Sequence, residues 1–180
     1  MTVSLRRVRL RAVVLLILLY LWLARPTLAL LEVGAPLVLA GLLLRGWAAG
    51  TIEKERALAT RGPYAFTRNP LYLGSLLLGL GSAVAGGHWV WPALFVAFFA
   101  AVYVPTMVSE HRLLGELFGD QYRAYAAEVP AFVPRLTPWR DAGTDAAGFR
   151  WARYVRNREW EAGLGAVAAV AFLALKGWLA

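Results

Sequence analysis

Apolar residues fall into five blocks separated by polar stretches. Clustering of this kind is a membrane pattern, because a helix needs about 20 mostly apolar residues to cross ~30 Å of hydrocarbon. The first block follows Arg6, Arg7, Arg9 and Arg11 and predicts a helix over Leu10–Ala24. No small-x-small cleavage site follows, since Arg25-Pro26 interrupts, so the block reads as a retained helix rather than a secretory signal. The second block is Thr27–Gly50, with Pro36 either kinking its helix or starting it. Pro70–Ala85 predicts a third helix. After the tight turn Gly86-Gly87-His88, Trp89–Val108 predicts a fourth, with Trp89 and Trp91 suited to an interfacial aromatic belt. Ala162–Ala180 is the fifth block.

The polar stretches have their own patterns. Thr51–Asn69 is a loop or short surface helix. Ser109–Ala127 interleaves charges with Leu113, Leu114, Leu117, Phe118, Tyr122 and Tyr125, which predicts an amphipathic helix leaving the bilayer, with a break at Gly119. Val129-Pro130 and Val133-Pro134 end it, and Arg135–Gly148 is an irregular link. Phe149–Arg158 is basic and aromatic, the composition of a segment lying on anionic lipid. The expectation is one all-α domain over residues 1–180. It is a polytopic membrane helix bundle of about five transmembrane helices with cytoplasmic amphipathic helices.

Composition sharpens this picture. The 180 residues are 59% hydrophobic. The net charge of +8 raises nucleic acid as a partner, but the basic residues are dispersed over loops rather than gathered in one stripe. With a cytoplasmic N-terminus, alternate crossings place all nineteen lysines and arginines on the cytoplasmic side except Arg25 and Lys176. That is the positive-inside distribution. The absence of cysteine excludes disulfides, thiolate metal sites and cysteine nucleophiles. Two histidines, His88 and His111, exclude a histidine-rich metal site. A channel or transporter is poorly supported, since no helix centre carries a charge and no inverted repeat is visible.

Two polar clusters stand at cytoplasmic helix ends. Arg68-Asn69-Pro70 opens the third helix, with Asn69 suited to the N-cap and Pro70 to the first helical position. A helix start with free N–H groups beside an arginine favours an anion. Glu110-His111 closes the fourth helix. Two antiparallel helices joined by a short turn bring these ends together, so Arg68, Tyr72, Glu110 and His111 share one pocket at the inner interface. Two readings stay open on physics alone: a functional site, or an Arg68–Glu110 ion pair that ties the helices.

Gly62-Pro63-Tyr64 followed by Arg68-Asn69-Pro70-Leu71-Tyr72-Leu73-Gly74 resembles the signature of the isoprenylcysteine carboxyl methyltransferase and phospholipid methyltransferase superfamily. The second half is similar too: Glu110-His111-Arg112-Leu113-Leu114, then Phe118-Gly119-Asp120-Gln121-Tyr122-Arg123-Ala124-Tyr125, then Val129-Pro130 and Pro134. The match covers about Gly62–Arg135, both halves are in register, and the segment from 149 to 180 lies outside it. The resemblance implies an integral membrane enzyme, as in a bacterial inner membrane, that transfers a methyl group from S-adenosylmethionine to a lipophilic or lipid acceptor. It implies that Tyr64, Asn69, Pro70, Tyr72, Gly74 and Glu110 line the cofactor site. Gly74 would admit the cofactor to the backbone, Glu110 would balance the amine or bond ribose, and Arg68 would orient an anionic group of the acceptor.

Two departures bear on the acceptor. The isoprenylcysteine enzymes usually carry histidine where this chain has Asn69, and many have a second glutamate where it has His111. Asn-Pro resembles the phospholipid N-methyltransferase branch and many bacterial members. Asn69 hydrogen-bonds but carries no charge. His111 is either a base for an amine or hydroxyl acceptor, or a residue facing the headgroups. Arg68, Glu110 and His111 are the catalytic candidates, no metal is expected, and the reaction implied is direct in-line methyl transfer. The alternatives are a phospholipid amine N-methyltransferase of the same superfamily, a sterol-reductase-like bundle, and a non-catalytic membrane protein.

Overall fold

The computed structural model describes residues 15–52, 57–140 and 148–179. The arginines at 6, 7, 9 and 11, the charges at 53–56 and residues 141–147 of the polar link lie outside these. The order is α1 (residues 15–23), α2 (Leu28–Thr51), a 3-10 turn (Gly62–Ala65), α3 (Pro70–Ala85), α4 (Val90–Glu128), α5 (Trp151–Arg156) and α6 (Glu159–Leu179). Every element among the described residues is helical. Three helices, α2, α4 and α6, are long and apolar enough to cross a membrane. The sequence pattern suggested about five. The other two apolar helices are shorter: α3 has 16 residues, and α1 is described over 15–23 only.

The molecule turns its apolar side chains outward, as a bundle in lipid does. Leu39 and Leu43 of α2, Leu94 and Val104 of α4, and Leu164, Val167 and Leu175 of α6 are all exposed. Exposed tryptophans form two belts. Trp22, Trp89 and Trp178 mark one end of the bundle, and Trp47, Trp151 and Trp160 the other. Trp91, half-buried near Trp89, meets the Tyr20 ring edge to face, with centroids 5.2 Å apart. Pro36 sits inside α2 rather than at its start.

Glycine sets the tightest contact. Gly34 and Gly41 of α2 face Gly81 and Gly74 of antiparallel α3, seven residues apart on each helix. A Cβ on Gly34 would stand 2.5 Å from Gly81 O, and one on Gly41 would stand 2.6 Å from Gly74 O. Only hydrogen at these positions lets the two backbones touch.

Polar caps fix the ends. At the Trp22 end, Lys176 Nζ donates to Leu21 O (2.8 Å) and Trp22 O (2.6 Å), satisfying carbonyls left open at the end of α1. At the other end the last carbonyls of α2 are capped from the C-terminal region. Ala49 O accepts from Asn157 Nδ2 (2.8 Å), Gly50 O from Arg150 N (2.8 Å) and Thr51 O from Arg153 Nη1 (3.2 Å). The C-terminal region is thereby tied to α1 at one end of the bundle and to α2 at the other.

Helix α4 is two arms. Gly119 has φ 51° and ψ −123°, outside helical geometry. In a continuous helix His111 and Tyr122 would be separated by about 16 Å of rise, yet their ring centroids are 6.3 Å apart. The second arm therefore folds back on the first, and Tyr122 and Tyr125 pack with Leu58, Val129, Leu114 and Phe118. The fourth apolar block and the amphipathic segment are one element, broken where the sequence placed the break. The first arm, 90–118, is about 43 Å long and outruns the hydrocarbon core. Residues beyond 108 extend past its apolar run.

Candidate active site

The second arm and the strand of chain after it close over the start of α3. Arg68 N donates to Pro130 O (3.0 Å), Arg135 N to Phe66 O (2.9 Å) and Trp139 N to Ala65 O (2.9 Å). Tyr125 Oη donates to Tyr64 O at 2.8 Å. Thr67 is buried, and its hydroxyl donates to Phe132 O at 3.0 Å. The two halves of the motif, which together span residues 62–135 and are interrupted by a helical hairpin, are thus stitched directly to each other.

Beneath this seam lies a cleft of about 530 Å³, within the usual range for a small-molecule site. Tyr64, Arg68, Asn69, Pro70, Tyr72 and Glu110 line it, as do Leu113, Leu114, Leu117 and Phe118 of α4. Six of the eight residues expected at the site are therefore gathered around one cavity. Tyr72 Oη donates to Glu110 Oε1 at 2.8 Å, which ties α3 to α4. The tyrosine ring also meets Tyr103 at 5.4 Å. No Arg68–Glu110 ion pair forms among the described residues; Arg68 Nη1 instead donates to Tyr122 Oη at 3.3 Å. Arg68 Nε and the Tyr64 hydroxyl are buried without a partner. Burial raises the Tyr64 pKa, and the neighbouring Tyr125 and Glu110 raise it further, so the hydroxyl stays protonated and remains a donor.

Two expected residues lie elsewhere. Gly74 is not on the cleft wall. Its missing side chain serves the seam, where a Cβ would stand 2.6 Å from Arg45 Cγ and 2.9 Å from Gly41 O. His111 is not on the wall either. Asn69 Nδ2 lies 2.7 Å from Ala131 O and 2.9 Å from His111 Nε2. A carbonyl only accepts, so the amide nitrogen faces both, and Nε2 must accept from it. His111 is held neutral with its proton on Nδ1. Its burial, and then the charge of Arg68, hold its pKa below the ordinary value. Asn69 occupies the N-cap position of α3 but makes no capping bond with its side chain. That amide is spent on the loop and on α4 instead.

The motif did not reveal Arg45, Ser75, Asn157 and Glu159, which also line the cleft. Arg45 Nε is bonded to Glu159 Oε1, and its Nη1 to Ser75 Oγ and Leu71 O. The available signal was an arginine at the end of an apolar run with no acid nearby in sequence. Its partner lies 114 residues away.

A helical membrane bundle with a polar cleft at one end, built from two stitched motif halves, defines the class. The chain belongs to the phospholipid methyltransferase family, whose model matches residues 14–121. Over 151 residues it is 32% identical to the cobalt-zinc-cadmium resistance protein CzcN of Cupriavidus metallidurans, covering 81% of this chain and 67% of that one. It is 31% identical over 84 residues to the protein-S-isoprenylcysteine O-methyltransferase of Schizosaccharomyces pombe, covering 47% of this chain and 36% of the relative. It is 34% identical over 118 residues to the nickel-cobalt-cadmium resistance protein NccN of Alcaligenes xylosoxydans xylosoxydans, covering 64% and 55%. The chain thus spans about a third to two thirds of these relatives. No solved structure matches it.

Proposed function

We propose that the chain is an integral membrane methyltransferase that uses S-adenosylmethionine and modifies a lipophilic acceptor bearing an anionic group, a carboxylate above all. The observation that carries this reading is the pair of buried polar atoms without partners, Tyr64 Oη and Arg68 Nε, on the wall of a cleft that the family motif builds. Buried donors are almost always paired, and two orphans on residues that line one cavity call for a ligand. The cleft volume and its mix of aromatic, carboxylate and guanidinium walls fit a nucleoside cofactor.

When bound, S-adenosylmethionine supplies the methyl group as an electrophilic sulfonium carbon. The protein's part is alignment and exclusion of water. Glu110, fixed by the Tyr72 hydroxyl, offers its carboxylate to an ammonium or to ribose hydroxyls. Tyr64 donates a hydrogen bond. Arg68 is braced by Tyr122 at Nη1, which leaves Nε to orient the acceptor's carboxylate. A carboxylate acceptor needs no base, and His111, occupied at Nε2 by Asn69, is not placed to act as one. The exposed leucines of α4 beside the cleft give a lipid tail an apolar approach from the bilayer. The charge-rich end carrying the cleft faces the cytoplasm in this reading, because the described basic residues other than Arg25 and Lys176 lie toward that end.

The test is transfer. Purified protein in nanodiscs, given methyl-labelled S-adenosylmethionine and a total lipid extract, should move label into an organic-soluble, base-labile product. Base-stable label points instead to the phospholipid N-methyltransferase reading. No organic-soluble label at saturating donor contradicts both.

A further inference from the structure

Glu159 lies outside the residues matched by the family model and outside the motif, yet it is 8% exposed and lines the cleft. It is the first residue of α6, and its carboxylate meets Arg45 of α2. Arg45 is tethered from three sides, by Glu159, Ser75 Oγ and Leu71 O. This leaves Arg45 Nη2 and Glu159 Oε2 with no partner among the described residues. Neither is among the fully buried unsatisfied atoms, so both keep an accessible edge. The pair is neutral as a whole. A lone anion at Arg45 would meet the Glu159 charge, and a lone cation at Glu159 would meet Arg45. The group that matches both edges carries both charges, its anion on Nη2 and its ammonium on Oε2.

We propose that Arg45 and Glu159 form a subsite for a zwitterionic group, at the side of the cleft built by α2 and α6. This rests on the methyltransferase reading where the ligand is the donor. Two sources offer that chemistry: the amino-acid end of S-adenosylmethionine, and a zwitterionic phosphoethanolamine headgroup. The cleft then has two unlike ends. Arg68, which has no carboxylate partner among the described residues, takes a net anion, and the Arg45–Glu159 pair takes a dipolar ion. Helix α6 contributes a ligand contact as well as a membrane crossing.

The experiment compares ligands that differ only in that group. In the first arm, the full chain in detergent is titrated calorimetrically with S-adenosylhomocysteine and with 5′-methylthioadenosine, which lacks the amino-acid end. Wild type should prefer the former. Glu159→Gln and Arg45→Gln should each shrink that preference about tenfold, the worth of one charge-assisted bond, and leave methylthioadenosine affinity unchanged. In the second arm, native mass spectrometry reads lipid retained from nanodiscs of equal phosphatidylethanolamine and phosphatidylglycerol. A preference for the former that both variants abolish assigns the subsite to the headgroup. If the arginine variant does not fold, Ser75→Ala keeps both charges, loosens Arg45, and should shrink the same preference about threefold. Should wild type bind neither nucleoside, the donor reading fails and the lipid arm alone decides the subsite. A preference unchanged by the variants in both arms, or absent from wild type in both, overturns the proposal.

Discussion

The seam between α2 and α3 and the cleft at its end share those two helices, but α4 and the start of α6 wall the cleft as well, and the two regions are filled in opposite ways. Along the seam, glycines let backbone touch backbone, no side chain intervenes, and a Cβ at Gly81 would stand 2.5 Å from Gly34 O. Nothing there is left unsatisfied and nothing has room to bind. At the charged end α3 and α4 frame open space. Arginines, tyrosines and carboxylates face about 530 Å³ of space, and two buried donors have no partner. One region is closed by packing, and the other is incomplete without a ligand. Gly74 marks the border. It lies in the motif expected to bind the cofactor, yet its contact is with Arg45 and Gly41 of α2, so in this protein it belongs to the seam.

Substitutions should separate the two regions cleanly. The largest effect belongs to the seam: Gly81→Leu drives a side chain into the α2 backbone, where overpacking costs more than ~3 kcal/mol. Size-exclusion chromatography in detergent should show the monodisperse peak lost. Next is Arg68→Ala in the cleft. Losing a charged hydrogen-bond donor should lower methyl transfer ten- to a hundred-fold, about 1.5–3 kcal/mol, with the melting temperature nearly unchanged. A large fall in melting temperature would instead mark Arg68 as a structural tie. Asn69→Ala sits between the regions. It strands His111 Nε2, leaves Ala131 O with only the longer bond from the Thr67 hydroxyl, and should cost ~1–3 kcal/mol of stability, read as an earlier thermal transition. Tyr64→Phe should leave the melting curve in place and weaken donor binding about tenfold, because the hydroxyl bonds nothing in the protein.

The smallest effect is in pH. His111 has a lowered pKa when folded, so the folded state binds fewer protons than the unfolded one below the ordinary value of 6.5. Its contribution to stability is whole above 6.5 and declines as pH falls from there toward the folded pKa. Melting curves from pH 8 to pH 5 should show a decline for wild type that His111→Gln flattens.

Much of this was legible in the chain. The apolar blocks gave the helices, the Gly86-Gly87 turn gave the α3–α4 hairpin, and the hairpin brought Tyr72 to Glu110. Gly119 was readable as a break, but not the reversal it produces, because φ and ψ at one residue decide whether a helix bends or doubles back. The bond of Asn69 to the loop and to His111 was hidden behind a local role, since the same amide suits an N-cap and the tertiary partners compete for it. The least legible part was the wall supplied by α5 and α6. Its docking on α2 runs through backbone carbonyls, which carry no sequence signal, and through Arg45 and Glu159, 114 residues apart.

The claim that the cleft is a ligand site and the seam is not comes down to one titration. S-adenosylhomocysteine is added to wild type and to Tyr64→Phe under identical conditions in a calorimeter. The account predicts saturable binding by wild type at a single site and about tenfold weaker binding by the variant, with equal melting temperatures before ligand is added. No binding by wild type at saturating ligand, or equal affinity in the two proteins, would contradict it.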